Sequence, residues 1–116
     1  TFGDILSDAA AGLVGGLGLA PGLSAGPDRA MAQATHGSAP DIAGKGIANP
    51  YAMIMSGQML YVWLGHKHNE PKAVEAADLM EQAVEAVIRE GKVLTGDLGG
   101  KASTREMGDA IAAKLA

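Results

Sequence analysis

Apolar residues recur along the chain at helical spacing in four stretches, with glycine- and proline-rich segments between them. Asp4 to Leu13 places Ile5, Leu6, Ala9, Ala10 and Leu13 at helix-compatible positions, and Gly15-Gly16 supplies the stop. Leu17 to Ala20 is a short apolar run that reads as a strand, followed by a Pro21-Gly22 turn and a loop to Asp28. Ala30 to Thr35 reads as a second strand. A helix from Pro50 to Leu64 follows, with Asn49 as its cap and Pro50 at its first position, where a missing donor costs nothing. Met53, Ile54, Met55, Met59, Leu60, Val62 and Trp63 make this helix apolar on most sides, which predicts burial. Pro71 to Glu90 is amphipathic, with Val74, Ala77, Met80, Val84, Val87 and Ile88 on one face and Gly91 as terminator. "GKVLTGDLGGK" reads as a strand or turn. Ser103 and Glu106 then form a capping box that starts a last helix, to Leu115.

Two short strands and several helices make too little sheet to close an α/β core, and the chain opens on Thr1-Phe2-Gly3 without an initiator Met. Both features predict a piece of something longer. The 116 residues amount to one domain at most. Aromatics are only 3%, so the core must come from Ala, Leu, Val, Ile and Met. A net charge of -4 argues against a nucleic-acid partner, which needs a clustered basic face. The longest apolar run, Ala52 to Leu64, is too short to span a bilayer, so no membrane is expected. With no cysteine there is no disulfide framework and no thiolate metal site, and a cytoplasmic location fits.

Few residues carry candidate chemistry. Asp4 and Asp8, four apart, share one face of the predicted helix and repel by roughly 0.2–0.5 kcal/mol. A hard divalent cation would turn that repulsion into a site. The plainer alternative is that both acids favour the positive end of the helix. "HGSAPDIAGKGIANP", His36 to Pro50, concentrates small residues around a single acid, Asp41. It is not a P-loop: six residues separate Gly37 from Gly44, and Gly46 follows Lys45. The dinucleotide fingerprint fails too, because Pro21 follows Gly16-x-Gly18 where a small residue is needed. What remains is a loop that lets a ligand approach the backbone, in which Asp41 could accept from a ribose diol and His36 and Asn49 could contact a base. A purely structural connection is the alternative. Asp97, in "TGDLGG", serves either turn chemistry or ligand contact. The methionines and Trp63 read as packing, and His66 and His68 as cations at a helix C-terminus.

Taken together, "FGDILSDAAAGLVGGLGLAPG", "HGSAPDIAGKGIANP" and "TGDLGGKAST" resemble three signature stretches of the isocitrate/isopropylmalate dehydrogenase family, in the same order. The resemblance runs over nearly the whole chain, which would be the helix-rich C-terminal portion of such a protein. It implies an α/β fold of three layers with a mixed sheet, and an oxidoreductase that works as a homodimer. Within residues 1–116 it implies a metal-site helix at 1–16, an adenosine-binding loop at 30–50 and a helical remainder at 50–116. Asp4 and Asp8 match metal positions, for Mg²⁺ or Mn²⁺. His36, Gly37, Ser38, Ala39, Asp41, Ile42 and Asn49 match the coenzyme loop. Where NADP-using relatives carry Lys-Tyr, this chain has Asp41-Ile42, which implies NAD. The implied substrate is a 2-hydroxy acid with a β-carboxylate, of the isocitrate or 3-isopropylmalate class. No catalytic acid or base of the family falls within the chain, so it is not expected to turn over substrate alone. A non-catalytic nucleotide-binding fragment or a regulatory-subunit relative is the alternative.

Overall fold

The computed structural model describes residues 19–115. The predicted helix from Asp4 to Leu13, with the carboxylates of Asp4 and Asp8, lies outside them. The elements are two strands, β1 (Leu23–Ala25) and β2 (Ala30–Ala32), and three α-helices: α1 (Tyr51–Lys67), α2 (Pro71–Glu90) and α3 (Thr104–Leu115). A 3₁₀ turn, Gly96–Leu98, precedes α3.

The strands pair antiparallel, with Leu23 opposite Ala32, Ser24 opposite Met31 and Ala25 opposite Ala30. The same register continues beyond them. The Gln33 amide donates to the Gly22 carbonyl at 3.0 Å, and the Thr35 amide to the Ala20 carbonyl at 3.2 Å. The sequence therefore located the second strand; of the predicted first, Leu17 and Gly18 lie outside the described residues and the rest is not in a strand. Leu19 and Ala20 are not in a strand; β1 falls where a loop was expected. The reason is non-local. The Gly22 amide donates to Ser56 Oγ on α1 at 3.0 Å, which seats the ribbon on that helix. A side chain at Gly22 would also stand 2.6 Å from the Gln33 carbonyl, so this close approach requires glycine. At the ribbon's tip, Lys67 Nζ donates to the Pro27 carbonyl and pairs with Asp28 at 3.3 Å.

The start of α1 follows the expected chemistry. Asn49 Oδ1 accepts the Tyr51 amide at 2.9 Å, and the Pro50 carbonyl takes the Ile54 amide at 3.0 Å. The expectation of a buried helix holds for one side only. Ala52, Ser56, Gln58 and Gly65 are buried, whereas Met53 is 54% and Tyr61 45% exposed. An apolar helix can bury only the side that neighbours cover, and here those neighbours are α2 and the ribbon. Gly65 marks the tightest point: a Cβ there would lie 2.5 Å from Val74 Cγ2 on α2.

In α2, Ala77, Ala83, Val84 and Val87 are buried as the periodicity predicts, and Gly91 ends it with a left-handed φ of 68°. Ile88, expected on that face, is 37% exposed. "GKVLTGDLGGK" is a turn, not a strand. The capping box of α3 forms both bonds at 3.0 Å: the Glu106 amide donates to Ser103 Oγ, and the Ser103 amide donates to Glu106 Oε1. The core, Ala83, Val84, Val87, Met107 and Ile111, lies between α2 and α3, with Tyr51, Ile54 and Met55 of α1 against it. Among the described residues no helix is long and apolar enough to cross a membrane.

Candidate functional site

The segment from His36 to Asn49 leaves the ribbon and enters α1 as a chain of tight turns. Amide-to-carbonyl bonds run from Ile42 to Ala39 at 3.0 Å, Ala43 to Pro40 at 3.4 Å and Lys45 to Ile42 at 3.1 Å. Gly44 and Gly46 have φ of 78° and 67°, which explains two of the glycines. Ala39 also has a positive φ, 43°, a conformation that costs a residue with a Cβ about 1 kcal/mol or more.

Gly37, Ser38, Ala39 and Asp41 are exposed, and Ile42 and His36 half-buried. Among the described residues Asp41 has no hydrogen-bond or ion-pair partner. Asp41 is exposed to solvent, between the small residues that precede it and the half-buried Ile42. His36 Nδ1 lies 2.9 Å from the Gly37 carbonyl. A carbonyl only accepts, so Nδ1 carries the proton, and in the neutral ring Nε2 is left as an acceptor.

Asn49 differs from the others: it is buried, at 9% exposure, and its side chain is spent at both ends. While Oδ1 caps α1, Nδ2 donates to Asp97 Oδ2 at 3.0 Å. Asp97 Oδ1 in turn accepts from Thr95 Oγ1 at 2.5 Å, and Thr95 is fully buried. Thus Asp97, which the sequence left between turn chemistry and ligand contact, joins the "TGDLGG" turn to the end of the loop. The structure brings the loop and this turn together. Thr95 and Thr104 were not singled out from the sequence. Thr104 donates to the loop twice, from its amide to the Gly46 carbonyl at 2.8 Å and from Oγ1 to the Ala48 carbonyl at 2.5 Å.

Two clefts of ≈ 300 Å³ and ≈ 420 Å³ lie elsewhere, between α1 and α2 and at their connection, and no loop residue lines either. They hold no cluster of converging acids or histidines: among the described residues no three such side chains could share a metal ion. Asp4 and Asp8, the predicted metal residues, lie outside the described residues.

Comparison with known proteins bears on the fold and the family. An isocitrate dehydrogenase structure from Methylococcus capsulatus matches with a TM-score of 0.85 at 50% identity, over 98% of this chain and 32% of that one. The fold is thus part of an isocitrate dehydrogenase-type α/β domain, seen here as its helix-rich portion with a small sheet. The family model for isocitrate/isopropylmalate dehydrogenase matches residues 1–111, and the chain belongs to that family. Homoisocitrate dehydrogenase from Methanocaldococcus jannaschii is 52% identical over 95% of the chain and 29% of its own length. A mitochondrial relative from Dictyostelium discoideum, named as a regulatory subunit of NAD isocitrate dehydrogenase, is 48% identical over 98% of the chain and 30% of its own length. The chain thus spans about 30% of the relatives it matches.

Proposed function

We propose that this chain is the C-terminal portion of an NAD- and divalent-metal-dependent dehydrogenase, and that it supplies the adenosine site and two metal carboxylates. The reaction is oxidative decarboxylation of a 2-hydroxy acid that carries a β-carboxylate, of the isocitrate, homoisocitrate or 3-isopropylmalate class. Hydride passes from the alcohol carbon to the nicotinamide, and the β-carboxylate leaves as CO₂.

The observation that carries this reading is the exposed carboxylate of Asp41, without a partner among the described residues, in a loop of tight turns. A free carboxylate accepts hydrogen bonds from both hydroxyls of a ribose. It repels a 2′-phosphate by on the order of a few kcal/mol at contact, which is about a 10²-fold preference for NAD. Gly37, Ser38 and Ala39 bring little bulk beside it, and a side chain at Gly37 would meet nothing within 4 Å, so a ligand can lie along the backbone. Ile42 offers an apolar surface, and His36 Nε2 an acceptor toward the adenine end. Both ends of the Asn49 side chain are engaged, so it acts by fixing the loop's end. The word NAD in a relative's name supports the same coenzyme.

The donor set of Asp4 and Asp8, oxygen only, suits Mg²⁺ or Mn²⁺. A cation held there supplies positive charge where the substrate's alcohol oxygen gains negative charge. The residues that take up the proton and grip the substrate's carboxylates lie in sequence beyond this chain, and the complete protein works as a homodimer. With no cysteine in 116 residues, a reducing cytoplasm is the compartment that fits.

A regulatory role is the second reading, favoured by the 48%-identical relative whose name carries it. The presence of Asp4, Asp8 and Asp41 together favours the catalytic one. Exchanging Asp41→Lys with Ile42→Tyr in the full-length protein tests the coenzyme assignment. The ratio of kcat/KM for NAD to that for NADP should fall by 10²-fold or so. An unchanged ratio would remove Asp41 from the coenzyme site.

A further inference from the structure

The geometry points to Thr104 as a positioning residue for the coenzyme loop: from the first turn of α3 it holds the carbonyls of Gly46 and Ala48 and so fixes the chain's path between Asp41 and Asn49. This rests on the reading of residues 36–49 as the adenosine site.

The loop's second half has little else to hold it. Side chains built at Gly44 or Gly46 would meet nothing within 4 Å, Ile47 is 49% exposed, and Lys45 and Ala48 are exposed. A segment without packing keeps one conformation only through directed bonds. The Lys45 amide bonds within the loop, to Ile42. Among the described residues, the bonds that tie this stretch to another element are the two from Thr104, one spanning 56 residues of sequence.

The start of α3 is built to make them. A helix N-terminus has amides without intrahelical partners. The capping box spends the Glu106 amide on Ser103 Oγ and fixes Ser103 through Glu106 Oε1. The Thr104 amide is left to point outward at the Gly46 carbonyl, at 2.8 Å. The hydroxyl then reaches Ala48, the residue before Asn49, which is itself locked by Asp97 and Tyr51. With both anchors made, Asp41 stands at a fixed distance from the entrance of α1.

Two measurements on the full-length protein test this with Thr104→Val and Thr104→Ala, which lack the hydroxyl donor to Ala48 and keep the backbone amide, and Thr104→Ser, which keeps both. Steady-state kinetics should give a KM for NAD raised about three- to ten-fold in the variants without the hydroxyl, with kcat within two-fold of the parent. Amide exchange across residues 42–51, followed without coenzyme, should quicken in the same variants. Thr104→Ser should restore both. Unchanged exchange would show that the Thr104 side chain holds nothing, and faster exchange with unchanged KM would show that the loop's order does not serve the coenzyme; either overturns the inference. Should the parent protein itself fail to bind NAD, the site assignment falls instead, and the exchange data still decide whether Thr104 is an anchor.

Discussion

Thr95 has no exposed surface, yet its hydroxyl is not wasted: it turns to Asp97 at 2.5 Å and lies 3.8 Å from Met107 Sδ. It links the core beneath α3 to the carboxylate that anchors Asn49, so packing and loop geometry meet at one side chain. Met107, also fully buried, fills the space below it. Met107→Ala should cost about 2–5 kcal/mol, the transfer of the lost atoms plus a cavity, read from the urea midpoint at constant slope. A cost under about 1 kcal/mol would mean that α3 is not packed as described. At this scale the sequence was legible where chemistry is local. Asn49 read correctly as a cap, because an amide acceptor before Pro50 has few other uses. Its bond to Asp97, 48 residues away, left no local trace. Ser56 and Gln58, polar positions inside the apolar run from Ala52 to Leu64, are buried. Ser56 accepts from Gly22 and donates to the Ala52 carbonyl, satisfactions only the folded chain can supply.

Among the elements, α3 is the most legible and the ribbon the least. A capping box is complete within four residues, so its sequence specifies its geometry. Ser103→Ala should destabilise the domain by about 1 kcal/mol, measurable by denaturant unfolding of the full-length protein. The same box carries a pH dependence. Hydrogen bonding to Ser103, through its backbone amide first and its side chain second, lowers the Glu106 carboxyl below its ordinary 4.5. A lowered carboxylate contributes stability that is complete above that ordinary value and is lost as the pH falls through the lowered one. Exchange of the Ser103 amide should therefore quicken below pH 4.5 relative to Glu106→Gln, whose side chain does not titrate. Parallel profiles for the two proteins would contradict the box as the cause. The strand error has the opposite origin. Nothing between Leu17 and Asp28 marks where pairing starts, since the register is set by docking on α1. Helix α1 itself read correctly in length to within a turn and wrongly in burial, because hydrophobicity states what a helix can bury and not which neighbours cover it.

For the whole molecule, the family and the loop were legible together because the loop's composition is dictated by backbone geometry: glycines at 44 and 46 adopt positive φ, and small residues surround the acid. What tied that loop down, Asp97 and Thr104, was not legible, since both contacts are long-range. Relatives named for isocitrate, homoisocitrate and isopropylmalate all match this portion, so it does not by itself sort substrates, and the coenzyme and cation roles proposed for it are ones that such relatives could share. The coenzyme choice proposed for the Asp41 carboxylate is where the proposed function is most exposed to test. Calorimetric titration of the full-length protein with NAD and with NADP, in the presence of Mn²⁺, measures it directly. NAD should bind on the order of 10²-fold tighter than NADP; equal affinities, or heat from neither coenzyme, would contradict the assignment of Asp41 to the ribose.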